Sequence, residues 1–148
     1  MENHLLDLNS PNGALKNLSA EKIKTYSDYW NSITPQDDYG RFQRYLFAFC
    51  SVHTTFAGNV SSFLAIKNYN DWSGKPDTLL QLLKDSKGGL HNNRAKFIMK
   101  FAQQFWNNPK DFYLTSKKGH IKKRDEIAEK ISGLGLAKVS FALEMIHP

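Results

Sequence analysis

The residues with the clearest chemical use are Gly133-Leu134-Gly135, set between two short segments of helical pattern. Two glycines around one apolar residue allow a tight hairpin with positive φ, and such a turn leaves backbone N–H groups uncovered at the start of the next helix. Those groups can bind a phosphate oxygen, a contact that holds a nucleic-acid backbone without reading its sequence. An ordinary helical corner with glycine caps would use the same residues, so the turn alone leaves both readings open. A second candidate is the run Lys117-Lys118-Gly119-His120-Ile121-Lys122-Lys123, followed by Arg124. It could hold phosphates electrostatically, although a solvated loop is the usual setting for such a run. Cys50 is the single cysteine, which rules out an intrachain disulfide framework or a Cys-rich metal site within this chain. Its apolar neighbours from Tyr45 to Phe49 make it a buried packing residue rather than a nucleophile. No metal or cofactor is expected.

The charge distribution bears on both candidates. Lysines and arginines number 7 against 8 acids over residues 1–83, and 13 against 6 over residues 84–148. The positive excess therefore sits with the hairpin and the basic run, which suggests a polyanionic partner. At 148 residues, 41% apolar and 13% aromatic, the chain can build one core and is not a disordered tail. No run approaches the roughly 18 apolar residues of a membrane span, and residues 1–20 carry no secretory pattern. A monomer at a cytoplasmic or nuclear site is expected.

The elements that must position these groups read as helices throughout. Residues 1–18 form a turn-rich leader, and residues 19–148 form the folded domain. Ile23, Tyr26 and Trp30 mark a first helix opened at Ser19. Phe42, Tyr45, Leu46 and Phe49 recur at three and four residue steps to mark a second, ending near Ser51. After a polar junction, Ser51-Val52-His53-Thr54-Thr55, a third helix carries Phe56, Val60, Phe63 and Leu64. Pro76 opens a fourth, running to about Lys84. Arg94 to Trp106 is the clearest stripe, with Ile98, Phe101, Ala102 and Phe105 inside and Lys96, Lys100 and Gln103 largely off it. Residues 109–123 read as a loop, and short helices over 124–131 and 136–146 flank the hairpin. The fold class is all-α, a helical bundle.

Three motifs, which follow one another along the chain in the family's order, resemble a known family. Gly89-Leu90-His91-Asn92-Asn93-Arg94-Ala95 is similar to the Gly-Leu…Lys/Arg-Ala motif of the helix-hairpin-helix base-excision DNA glycosylases. Ile131-Ser132-Gly133-Leu134-Gly135-Leu136-Ala137-Lys138 resembles their Leu-Pro-Gly-Val-Gly hairpin and catalytic lysine. Ser51-Val52-His53-Thr54-Thr55 looks like the junction of the endonuclease III branch. The resemblance covers about residues 40–147 and implies a helix-hairpin-helix motif acting on duplex DNA that carries a damaged base. An oxidised purine such as 8-oxoguanine is the first expected substrate, and an oxidised pyrimidine the next.

In that family the damaged base leaves the stack, and a neutral lysine attacks the sugar C1′. That attack releases the base and leaves a Schiff base, which allows strand cleavage by β-elimination. The resemblance puts Lys138 in that place, assisted by the positive end of its helix dipole, with His53 filling the gap left by the base. Gly133, Leu134, Gly135, Lys117, Lys118, Lys122 and Lys123 would contact the DNA. Lys138 comes three positions after Gly135 rather than two, so a gap-free match selects Ala137 instead; Ser140, a small residue two positions beyond Lys138, favours the lysine. Ser132 replaces the usual proline. The family's catalytic aspartate falls past Pro148, so the resemblance implies a chain incomplete at its C-terminus, and Glu144 points to another face of the lysine's helix. The competing function is a non-catalytic helix-hairpin-helix DNA-binding module, which needs the glycines and not the lysine; a third is a helical protein-interaction domain. Replacing Gly133 and Gly135 by Val is expected to weaken DNA binding without unfolding the chain.

Overall fold

The computed structural model describes residues 20–116 and 118–147. Among these described residues seven α-helices follow in chain order: α1 (Ala20–Ser32), α2 (Asp38–Cys50), α3 (Phe56–Ile66), α4 (Pro76–Ser86), α5 (His91–Asn107), α6 (His120–Lys130) and α7 (Leu136–Ile146). Short 3-10 turns occupy Tyr69–Asp71 and Pro109–Phe112. No strand occurs among the described residues, and the all-α class is as the sequence predicts. The chain divides into two units, Met1–Thr34 and Pro35–Pro148. In the first, Lys24 Nζ pairs with Asp28 at 2.8 Å across one turn of α1. The expected leader, and the side chains of Ile23, Tyr26 and Trp30, lie outside the described residues.

The second unit holds the six remaining helices, and local chemistry starts several of them. Asp37 caps α2 by accepting the Gly40 N–H at 2.8 Å, and Thr55 caps α3 through the Gly58 N–H at 3.1 Å. Each satisfies one of the donors a helix start leaves unpaired. Pro76 opens α4 in the first turn, where its missing N–H costs nothing. α2 is central, packing on α3, α5 and α7, while α3 packs on α4, α4 on α5 and α6 on α7. Its inner face is the expected one: Phe42, Tyr45 and Leu46 are fully buried and Phe49 nearly so.

The core is aromatic. Phe42 stacks on Phe101 at 5.7 Å between centroids with 2° between planes, and Tyr45 and Phe49 approach the same ring at 4.9 and 5.3 Å. The buried Tyr45 hydroxyl donates to the Phe112 carbonyl at 2.6 Å and ties the second 3-10 turn to α2. Burial pushes the phenol's pKa well up, so the hydroxyl remains a neutral donor. Tyr45→Phe is therefore expected to lower unfolding free energy by about 1–3 kcal/mol, because the carbonyl is left buried and unpaired. Urea denaturation would measure it, and an unchanged midpoint would contradict the assignment.

Two boundaries differ from the sequence reading. α5 begins at His91 rather than Arg94, after Leu90 in a left-handed conformation (φ 49°). α6 begins at His120 rather than Arg124, so Lys122 and Lys123 are helical residues and not loop residues. Lys123 and Arg124 are half-buried beside the buried Ile127. Long basic side chains can cover apolar surface with their stems and still hold their charges in water. An apolar pattern cannot register that arrangement, which is why this turn of helix reads as loop.

Candidate nucleic-acid interface

Between α6 and α7 the chain turns through Ile131–Gly135, and the two glycines do different work. Gly133 has φ +90°, a conformation side chains rarely adopt, and a Cβ there would lie 2.5 Å from the Phe97 ring. Gly135 is extended (φ −83°, ψ 177°) at the N-cap of α7, with open space where a Cβ would go. The expected positive φ therefore belongs to Gly133 alone. Leu134 is buried and anchors the turn in the core, so only its backbone is available to a ligand. α7 has no side-chain cap, and the N–H groups of Gly135, Leu136 and Ala137 meet no acceptor among the described residues. Gly135, Leu136 and Ala137 are all exposed. This is an uncapped helix start facing solvent, the arrangement that accepts an anion.

One face of α5 supports the turn from below. Phe97 lies under Gly133, Lys100 Nζ donates to Ser132 Oγ at 3.0 Å, and Gln104 donates to the Lys130 carbonyl at 3.1 Å. These three are spaced i, i+3 and i+7, a single helical stripe. They lie outside the main apolar stripe of α5, as the sequence predicts for Lys100, but helical spacing alone assigns them no partner. Lys100 puts a cation at the hairpin where the basic run does not. Lys122 and Lys123 sit in the first turn of α6, about 15 Å from its hairpin end at the helical rise per residue. Lys118, whose N–H donates to Ser116 Oγ at 3.2 Å, precedes that turn. Lys117 lies outside the described residues.

The junction after α2 meets the hairpin across a cleft of about 220 Å³ lined by Val52, His53, Leu90, Arg94, Phe97 and Gly133. No family model, curated protein or solved structure matches this chain. The geometry of the cleft is accordingly what bears on function. His53 and Leu90 both hold positive φ, 52° and 49°. Conformations of that kind persist in residues other than glycine only where the surroundings impose them. Arg94 supplies the constraint at the junction, donating to the Val52 carbonyl at 2.6 Å and so fixing the peptide that leads into His53. Arg94 is itself buried, and burial lowers its pKa from the ordinary arginine value. His53 and Leu90 are exposed at the cleft rim.

Lys138 is in the first turn of α7 and half-buried. Its Nζ donates to the Ser51 carbonyl at 3.4 Å and lies 5.8 Å from the centroid of the Phe141 ring. Ser51 is the C-cap of α2, so the amine rests at the negative pole of that helix as well as near the positive pole of its own. The structure thus brings Lys138 to the same junction that carries His53, one residue from the lining of the cleft. Glu144 lines a separate cleft with His120, Arg124 and His147, in keeping with its different helical face. Cys50 is fully buried, and desolvation pushes its thiol up to about 12 against the opposing charge of Arg94. It is a packing residue, as expected. Among the described residues no helix is long and apolar enough to cross a membrane.

Proposed function

We propose that this chain binds duplex DNA by its hairpin and acts at a base or abasic sugar, as a base-excision glycosylase with Lys138 as the amine nucleophile. The observation that carries this reading is a convergence: segments around residues 51–55, 90–97 and 132–138 meet at one cleft although far apart in sequence. These are the segments whose motifs resemble the glycosylases. The uncapped start of α7 would hold a phosphate, and Lys100 joins the phosphate contacts beside it. A base drawn out of the duplex leaves a gap. His53, with the exposed apolar Leu90 beside it, is available to fill that gap, Leu90 as an apolar wedge between base steps. Lys138 would attack C1′ with its lone pair as the glycosidic bond breaks; the base leaves with that bond's electrons and takes up a proton shed by the amine, and opening of the sugar ring at O4′, which takes the second proton, leaves the Schiff base.

A second reading has its own support. The bond from Lys138 to Ser51 and its approach to Phe141 are also what a purely structural lysine would make, leaving a DNA-binding module without catalysis. Both readings require phosphate contacts, and salt tests them. Fluorescence anisotropy of a labelled duplex should give an association constant that falls linearly on a log–log plot against salt. Lys100→Gln should flatten that slope by about 1, the signature of one lost phosphate contact. Ser132→Ala, which removes only the neutral partner of Lys100, should leave the slope as it is. Binding that ignores salt would remove the nucleic-acid reading, and an unchanged slope in Lys100→Gln would remove Lys100 from the contact set.

A further inference from the structure

We propose that His147 is a pH-sensitive latch: it holds the segment leading into α6 against the end of α7 and releases it when its ring is protonated. The Leu114 N–H donates to His147 Nε2 at 2.9 Å. A backbone N–H can only donate, so Nε2 must offer its lone pair, and a proton there would turn the two partners into two donors. The bond joins the end of the second 3-10 turn to the C-cap of α7, residues 33 apart in sequence.

The surroundings oppose the charged ring. Arg41 of α2 stacks over Tyr113 at 4.3 Å, and Tyr113 in turn lies 6.4 Å from the His147 ring. From α6, His120 and Arg124 share the cleft of about 210 Å³ with His147; from α7, Glu144 is the one acid lining it. Burial, then Arg41 and His120, hold the His147 pKa below the ordinary histidine value. The folded chain therefore takes up this proton less readily than the unfolded chain. The contact contributes its stability above the unfolded value, about 6.5, and loses it as pH falls through the lower folded value. The Ser116 side of the segment is held differently: His120 Nε2 lies 2.9 Å from the Ser116 carbonyl, and a carbonyl only accepts, so that contact does not depend on a free lone pair at the ring. Acidification would free the Leu114 side of the segment and leave the Ser116 side attached.

The test is amide hydrogen exchange of the full chain by NMR between pH 8 and 5, corrected for intrinsic exchange. The Leu114 amide should lose protection by roughly tenfold per pH unit once His147 titrates, down to the level of the unlatched segment. The amides of α2 and α5 should keep theirs. His147→Gln, whose side-chain oxygen can accept the same N–H without titrating, should hold protection constant across the range. His147→Ala should expose the amide at every pH. Wild-type protection of Leu114 that is independent of pH would overturn the latch. So would a His147→Gln profile that falls in step with the wild type, which would assign the pH response to another group.

Discussion

Lys138→Gln is expected to abolish covalent trapping on a duplex carrying an abasic site, by on the order of a hundredfold or more, while leaving duplex affinity within a few-fold. The open-chain abasic sugar presents an aldehyde at C1′. A lysine amine condenses with it, expelling water, and borohydride reduces the imine to a stable secondary amine. Glutamine cannot form that bond. It retains a donor for the Ser51 region, and under the proposed function the lost charge would be one among several backbone contacts, so binding should persist. Denaturing electrophoresis after borohydride treatment reads the adduct directly, and peptide mapping locates it. Trapping at wild-type level in Lys138→Gln would transfer the chemistry to another amine. Ala137, the gap-free alternative at that position, has none to offer. Absence of trapping in the wild type, with salt-sensitive binding intact, would instead leave the non-catalytic module as the function.

Gly133→Val is expected to destabilise the chain by about 3 kcal/mol or more, enough to change the folded-to-unfolded ratio over a hundredfold. Two costs add there. A β-branched residue is strained at φ +90°, and its Cβ would be forced into the Phe97 ring, 2.5 Å away. Gly135→Ala should do the opposite of unfolding the protein. Its backbone is extended and its Cβ would meet open space, so stability should stay within about 0.5 kcal/mol. That open space is also where a phosphate would approach the free N–H groups of α7, so Gly135→Ala should weaken DNA binding in a fully folded chain. Chemical denaturation and anisotropy on the same two variants separate the effects. Equal losses of stability in both would contradict the different conformations assigned to the two glycines. The structure in this way replaces the expectation that either glycine could be enlarged without unfolding the chain: Gly135 can be, and Gly133 cannot.

The parts of this protein legible from sequence are those governed by neighbours along the chain. The three and four residue steps of Phe42, Tyr45, Leu46 and Phe49 fix the buried face of α2, because a helix brings those positions to one side. Pro76 starts its helix because its missing N–H costs nothing in a first turn, and Cys50 is buried because its neighbours are. The hairpin is legible as a turn. The same local rules fail where a polar residue serves an inner position. His120 to Lys123 lengthen α6 in a way that apolar spacing cannot show, and Lys122 and Lys123 consequently belong to the end of α6 away from the hairpin.

What only the tertiary structure decides is which residues meet. Lys138 reaches the carbonyl of Ser51 across 87 positions, and Lys100 reaches Ser132 across 32. Neither pairing follows from spacing, since the first depends on the packing of α7 on α2 and the second on where α5 meets the turn before α7. The division of labour between Gly133 and Gly135 has the same origin. Both are glycines in one short turn, yet only the packing of Phe97 beneath the first makes it irreplaceable. The sequence by itself determined an all-helical chain with a glycine hairpin and a basic second half. The fold determined that the hairpin, the junction and the start of α5 share one cleft, because close packing of a core fixes distances that local propensity leaves free.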